Sequence, residues 1–321
     1  MKDYKNLTAR EAAEILLEAC DPVIVMHKNP DADTAGTAAA LIEVFRLLGK
    51  SAAFACSDKI PERLDFILKD AQRADTFENR TVIAVDVASP AQIGSLADRI
   101  GDISLMIDHH EVGEPFAPNY IKKGASSAAE VLYDLICELE EMGKLTLTPK
   151  IAEPLFAAIC SDTGSFKYSS AHPSTFRIAA RLIECGTDHA KIAHKLFSEK
   201  TRTQLSAEGY VASKISTVLD GRIAYVSHTK AEREALGASE EDFECAIDVV
   251  RELRGVHVAL VVRETDKGGI RASLRSTGEN VAEVARKFGG GGHVRAAGCS
   301  PEAKSVGEAV KMLTDELIKL F

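Results

Sequence analysis

The chain has 321 residues, 45% hydrophobic and 27% charged, with a net charge of -9 at neutral pH. One or two domains are expected at that length, with ample apolar material for their cores, so a disordered or collagen-like chain is excluded. The acidic balance disfavours a protein that grips long duplex nucleic acid through its phosphates, while leaving room for a small anion at one local site.

In chain order, residues 1–6 lead straight into an amphipathic segment without the apolar core of a secretory signal, which reads as a cytoplasmic protein. Residues 22–26 form the first expected strand, and a helix follows over about 34–48, with Ala38, Leu41, Ile42, Phe45 and Leu48 on one side. Residues 52–56 are a second strand; 81–86 and 103–108 are two more, each ending in Asp. A helix then opens with Ser127-Ala-Ala-Glu130, a capping box in which each side chain can satisfy an orphan backbone amide. Its apolar face repeats at Val131, Leu132, Leu135, Ile136 and Leu139, and another helix is expected over 149–160. Short β-branched runs alternating with helices are the pattern of an α/β fold with a parallel sheet.

From 188 to 219 the chain is charged and helical with no strand signal, which suits a connecting helix. A smaller α/β unit follows, with strands at 222–227, 255–264 and 269–276 and a helix near 281–288. The expected organisation is therefore a first domain over 1–190, a helical linker over 191–219 and a second domain over 220–321. No apolar run approaches the ~20 residues of a membrane span. The seven cysteines lack C-x-x-C pairing and read as reduced core residues rather than a zinc site.

Four short segments concentrate Asp and His: His27-Lys-Asn-Pro-Asp31-Ala-Asp33, Asp86, Asp108-His109-His110 and Ser161-Asp162-Thr-Gly. Three fall just past an expected strand and the fourth past an expected helix. In an open α/β sheet, ligands bind beyond the carboxyl ends of the strands, so these distant segments can meet at one spot. Each has a bland reading: Asp-x-Asp is often a turn and helix cap, a lone strand-terminal Asp is often a cap, and Asp162 could cap a turn. All four in this order are much harder to obtain by accident. Four carboxylates (Asp31, Asp33, Asp86, Asp162) with two imidazoles (His27, His109) exceed one ion's needs. They suit two divalent ions ~3.5–4 Å apart, the pair used for in-line displacement at phosphorus, with Asp86 bridging.

Gly289-Gly-Gly-Gly-His293-Val-Arg-Ala-Ala-Gly298 is the second notable stretch. A glycine run is more often a plain loop, and this one matches neither the P-loop nor the dinucleotide fingerprint. Here, however, the region from 251 to 300 holds nine Lys or Arg against five Asp or Glu, and Arg263, Arg271 and Arg275 lie on the expected strand pair before it. Alternation places Arg271 and Arg275 on one face, and guanidinium groups beside a glycine-lined concavity make an anion pocket. Histidines 172, 189, 194, 228 and 257 show no partner pattern and read as surface or packing residues.

Taken together, the chain resembles the DHH phosphoesterase superfamily, in its nanoRNase and pAp-phosphatase branch with a C-terminal DHH-associated domain. The likeness rests on His27-x-x-Pro30-Asp31-x-Asp33, Asp86, Asp108-His109-His110, Ala125-Ser-Ser-Ala-Ala-Glu130, Asp162-Thr-Gly-Ser-Phe166, Ser273-Leu-Arg275-Ser276 and Gly290-Gly-Gly-His293-x-x-Ala-Ala-Gly298. The resemblance implies two manganese ions held by His27, Asp31, Asp33, Asp86, His109 and Asp162, and a catalytic pair, His110 with Asp108, beside the scissile phosphate. It further implies substrate contacts from Arg263, Arg275, Ser276, Gly290, Gly291, Gly292 and His293 across an interdomain cleft. The implied activity is hydrolysis of short oligoribonucleotides, dinucleotides such as pApA, and pAp to nucleoside monophosphates. Polyphosphate or pyrophosphate hydrolysis and a non-catalytic nucleotide-binding regulator are the alternatives. The partners implied are these short substrates, with no long duplex and no membrane, and a homodimer is left open.

Overall fold

A computed structural model describes residues 4–98, 101–113 and 115–321, and the chain divides into two compact units after Glu199. In the first, five strands form one parallel sheet: β1 (Val23–Val25), β2 (Ala53–Ala55), β3 (Val82–Val85), β4 (Ile103–Asp108) and β5 (Asn119–Ile121). Their order is β2-β1-β3-β4-β5. The chain steps one way from β1 to β2 and the other way to β3, so the sheet has its topological switch between β1 and β3, where such folds bind ligands.

Both sheet faces are covered, as a parallel sheet requires. Ile24, Phe54, Ile83, Val85, Leu105 and Ile107 point into the larger core, against helices Ala9–Glu18, Ala32–Leu47, Ala128–Glu141 and Pro149–Asp162. Val23, Val25, Ala55, Val82, Ala84 and Met106 point the other way, under Ile93, Leu96 and Ala117. Helix Ala32–Leu47 is buried along almost its whole length, from Ala32 to Phe45. Its small residues explain why: a Cβ on Gly36 would lie 2.4 Å from the Pro154 carbonyl oxygen and 2.9 Å from Ala158 Cβ, so only glycine permits this crossing with helix Pro149–Asp162.

The second unit is a mixed sheet ordered β10-β11-β9-β8-β7-β6. Its strands are β6 (Ser216–Val218), β7 (Ile223–His228), β8 (Val258–Glu264), β9 (Ile270–Ser276), β10 (Gly291–His293) and β11 (Ala296–Cys299). Val258, Leu260, Val262, Ala272, Leu274, Ala297 and Cys299 pack one face under helices Val281–Lys287 and Val306–Leu317. Ala224, Val226, Ala259 and Val261 pack the other, under helices Arg202–Lys214 and Ala246–Arg251.

Several elements differ from the sequence expectation. Strand β5 is three residues long, too short to show a period. The stretch expected to be wholly helical from 188 to 219 holds two helices, His189–Phe197 and Arg202–Lys214, and edge strand β6. Ile192 belongs to the first core and Ala207 and Val211 to the second unit. The glycine run is not a plain loop. It forms the hairpin β10–β11, with Gly292 opposite Ala297. Two of its glycines are demanded by packing: a Cβ on Gly290 would meet the Gly298 oxygen at 2.1 Å, and Gly292, at φ +133°, would meet the Ala296 oxygen at 2.5 Å. A poly-glycine strand carries no β-branched signal, which is why periodicity missed it.

Candidate metal centre

The carboxyl ends of β1, β3 and β4 are adjacent, and they deliver His27, Asp86 and Asp108-His109-His110 to one place. Helix Ala32–Leu47 begins there, so Asp31 and Asp33 arrive from its first turn, and helix Pro149–Asp162 ends there with Asp162 as its last residue. Two groups of three ligand atoms lie within 4.8 Å of one another: His27 with Asp31 and Asp86, and Asp33 with His109 and Asp162. The six residues therefore converge.

Backbone contacts fix which imidazole nitrogen faces the cage. His27 Nδ1 lies 2.8 Å from the Lys28 carbonyl oxygen and His109 Nδ1 lies 3.0 Å from that of Ala125. A carbonyl can only accept, so both Nδ1 atoms carry hydrogen and both Nε2 atoms turn inward. His27 Nε2 then stands 3.6 Å from Asp31 and 3.4 Å from Asp86; His109 Nε2 stands 3.6–3.7 Å from Asp33, Asp86 and Asp162. These separations are long for charge-assisted hydrogen bonds, but they match the edges, ~3–3.5 Å, of a polyhedron with ~2.1 Å metal–ligand bonds.

Asp86 is central. Its backbone sits in the left-handed region at φ +58°, a conformation that Asp tolerates better than most side chains. One oxygen faces His27 and the other His109; the latter, Oδ1, is buried without a hydrogen-bond partner. A buried carboxylate oxygen with no donor calls for a cation. Asp31 serves two ends, because the cap expected of an Asp-x-Asp turn is also made: its Oδ1 accepts from the amides of Asp33 and Thr34 at 3.0 and 3.1 Å. Asp33 is fully buried and held by the amides of Ala128 and Ala129, at 2.7 and 3.2 Å, and by Thr37 Oγ1. That helix N-terminus favours the anion. Asp162, by contrast, occupies a helix C-terminus, where a carboxylate is unfavourable without positive charge nearby.

Electrostatics agree with the geometry. Burial raises the Asp33 pKa, and the neighbouring Asp86 adds to it, pushing it up to about 7. Asp162 is also raised well above the carboxylate range, by burial and then by Asp33, Asp31 and Asp86. Burial opposes charge on His27, but the neighbouring carboxylates of Asp31 and Asp86 outweigh this and raise its pKa to about 11; His109 is raised to about 11 against the same opposition. The cage thus attracts positive charge strongly enough to retain protons. Four carboxylates and two imidazoles without thiolate are a donor set suited to manganese, iron or similar divalent ions.

His110 differs from His109. Its Nδ1 lies 2.6 Å from Oδ1 of Asp108, a carboxylate 2% exposed, and only 3.6 Å from Asp86. Although Asp86, His109 and His110 also cluster within 4.8 Å, the His110 nitrogen nearest Asp86 already serves Asp108. The Asp108 pairing orients the ring and raises its pKa against the effect of burial.

In the second unit, Arg263, Arg271, Ser273 and Arg275 share one sheet face, as alternation required. Arg263 Nε lies 3.1 Å from Glu240 and its Nη1 3.4 Å from Ser273 Oγ; Arg275 Nη1 donates to the Leu274 carbonyl. Ser276 Oγ donates to the Glu279 carbonyl oxygen, and Gly291 and His293 lie on edge strand β10 beside β11. A Cβ on Gly291 would meet nothing within 4 Å, so this glycine is not demanded by packing. Of the other histidines, His228 is fully buried against Phe243, their ring centroids 4.4 Å apart.

The residues that sequence reasoning missed are the supports. The carbonyl of Ala125 and the amides of Ala128 and Ala129 carry no side-chain signal; only Ser127 announced a helix start there. The expected capping box is half made: Ser127 Oγ accepts from the Glu130 amide at 3.2 Å, but the Glu130 carboxylate turns to Ser126 instead of Ser127.

Comparison with known proteins matches this architecture. The DHH family N-terminal domain model fits residues 22–159, and the DHHA1 domain model fits residues 222–319. The bifunctional oligoribonuclease and PAP phosphatase NrnA of Thermus thermophilus is 28% identical over 313 residues, spanning 95% of this chain and 92% of that protein. Its Bacillus subtilis counterpart is 28% identical over 297 residues, spanning 91% and 93%. Among solved structures, an exopolyphosphatase-related protein from Bacteroides fragilis superposes with a TM-score of 0.88 at 26% identity, covering 97% of this chain and 96% of that one. Among the described residues, no helix is long and apolar enough to cross a membrane. The chain belongs to the DHH family of phosphoesterases, with a DHHA1 domain following the domain that carries the carboxylate–imidazole cage.

Proposed function

We propose that the protein is a two-metal hydrolase of short oligoribonucleotides and of pAp, releasing nucleoside monophosphates, with manganese as its ion. The observation that carries the metal reading is the pair of inward-facing Nε2 atoms, fixed by backbone carbonyls, among four carboxylates and an unpartnered Asp86 oxygen. Support for the substrate comes from the two NrnA relatives, each matched over nine-tenths of its length.

His27, Asp31 and Asp86 would hold one ion and Asp33, His109 and Asp162 the other, with Asp86 lying between the two imidazoles. When bound, such a pair supplies Lewis acidity toward the phosphoryl oxygens and lowers the pKa of attacking water. His110 then acts from the protein side: Asp108 holds Nδ1, leaving Nε2 as the atom that carries a proton to the leaving oxygen. Arg275, Ser276, Gly290 to His293 and Arg263 bind the substrate's other phosphate or nucleoside. Short substrates agree with the net charge of -9, because only local positive charge is then needed.

A second reading, hydrolysis of inorganic polyphosphate, draws on the Bacteroides fragilis structure described as exopolyphosphatase-related. Purified protein with manganese, offered pAp, pApA, a five-nucleotide RNA and polyphosphate in parallel, separates the two. Release of AMP from the nucleotides is expected; orthophosphate release from polyphosphate alone would overturn the nucleotide assignment.

A further inference from the structure

Behind the cage stands a buried carboxylate that belongs to neither ligand group. Glu130 is 2% exposed, and its Oε2 accepts three hydrogen bonds: from the Ser126 amide at 3.1 Å, Ser126 Oγ at 2.6 Å and Thr175 Oγ1 at 3.0 Å. Burial opposes its charge, but the donors of Ser126, Ser174 and Thr175 outweigh burial and hold its pKa below the usual range. An ionised acceptor makes such hydrogen bonds stronger than neutral ones.

Each contact leads to a ligand of one group only. Ser126 lies between Ala125, whose carbonyl sets the His109 ring, and the helix start whose amides at 128 and 129 grip Asp33. Thr175 is in the first turn of helix Pro173–Glu184, at the far end of the connection that begins after Asp162. Asp33, His109 and Asp162 are the three residues of one group. The other group is anchored elsewhere: His27 on the Lys28 carbonyl, Asp31 on the helix it caps, and Asp86 at the end of β3.

We propose that Glu130 is the positioning residue for one of the two metal positions, that of Asp33, His109 and Asp162, and leaves the His27, Asp31 and Asp86 position unaffected. This rests on the two-metal reading above. Its role is to hold the 125–130 turn and the start of helix Pro173–Glu184 in register. Outer groups that orient metal ligands change metal affinity by ~10–100-fold when removed. The fold has an independent tie between the same two helices, because Arg181 binds both Tyr133 and Glu140.

Titration of the full-length protein with manganese, following free ion by EPR, tests this. Wild type is expected to show two binding classes. Glu130→Ala weakens one class by ~10–100-fold and leaves the other as in wild type, whereas His27→Ala weakens the class that Glu130→Ala spares. Glu130→Gln, which keeps an acceptor oxygen, recovers most of the loss, and Thr175→Val, removing a single donor, loses less than Glu130→Ala. Equal weakening of both classes, or no change in either, overturns the proposal while the two-metal reading stands. A wild type that binds no manganese overturns both. Should Glu130→Ala not fold, wild-type binding in both Glu130→Gln and Thr175→Val overturns it.

Discussion

The two polar clusters of this protein are built on opposite plans. In the first unit the candidate side chains are short, buried or half-buried, and several are pinned by backbone: carbonyls on His27 and His109, helix amides on Asp31 and Asp33. In the second they are long arginines on a half-open sheet face, with Arg263 leaning on Glu240 and Ser273. A reaction centre gains from groups fixed before substrate arrives, since no reorganisation is then needed in the transition state. A binding face for a variable phosphate gains from reach and from donors that can exchange partners. The difference suggests a division of labour, rate in one unit and affinity in the other, and it can be tested.

The largest effect is expected from Asp86→Ala. On the two-metal proposal, losing this carboxylate should lower turnover measured with manganese by roughly 10²–10³-fold or more, on the scale of other lost electrostatic stabilisers. Arg275→Ala should instead raise KM by about 10–100-fold, the worth of a hydrogen bond to a charged phosphate, with kcat little changed. Steady-state kinetics on pAp checks both. If the two variants alter the same parameter, the division fails.

Next in size is His228, which sharpens the contrast because it is an imidazole held neutral. Burial lowers its pKa, Arg233 and Arg263 lower it further, and it falls to about 4. Between pH 6.5 and about 4 the unfolded chain therefore binds a proton that the folded chain does not. Stability is full above pH 6.5 and is lost as pH falls through that window, by up to about 3 kcal/mol. Urea unfolding across this range should show the slope, and His228→Phe should flatten it.

Gly36→Ala should destabilise by about 1–3 kcal/mol, since its methyl overpacks the helix crossing and pushes Asp31 and Asp33 away from Asp162. A urea midpoint unchanged from wild type would show that the crossing yields without cost. The smallest change is expected for Gly291→Ala, whose Cβ meets nothing within 4 Å. It should fold normally and report only on whether substrate approaches that strand, read as a change in KM.

Much of this molecule was determined locally. The β-branched runs, the helical spacing after residue 127 and the Asp and His tips of the strands are consequences of side-chain periodicity and of where a strand must stop. For that reason the parallel sheet and the set of six candidate ligands were legible without coordinates. Three of the four edge strands were not: β2 was expected, but β5 and β6 span three residues each and β10 is mostly glycine, so none of these has a period to read.

Tertiary structure alone decided which atoms face which. The amides that grip the Asp33 carboxylate lie 95 and 96 residues away, the Ala125 carbonyl is 16 residues from His109, and Thr175 is 45 from Glu130. Nothing in a local pattern can specify a backbone amide as the partner of a distant carboxylate, because every residue but proline carries the same amide. Which one is left unpaired at a helix start, and which anion it meets, depends on how the packed cores bring the elements together.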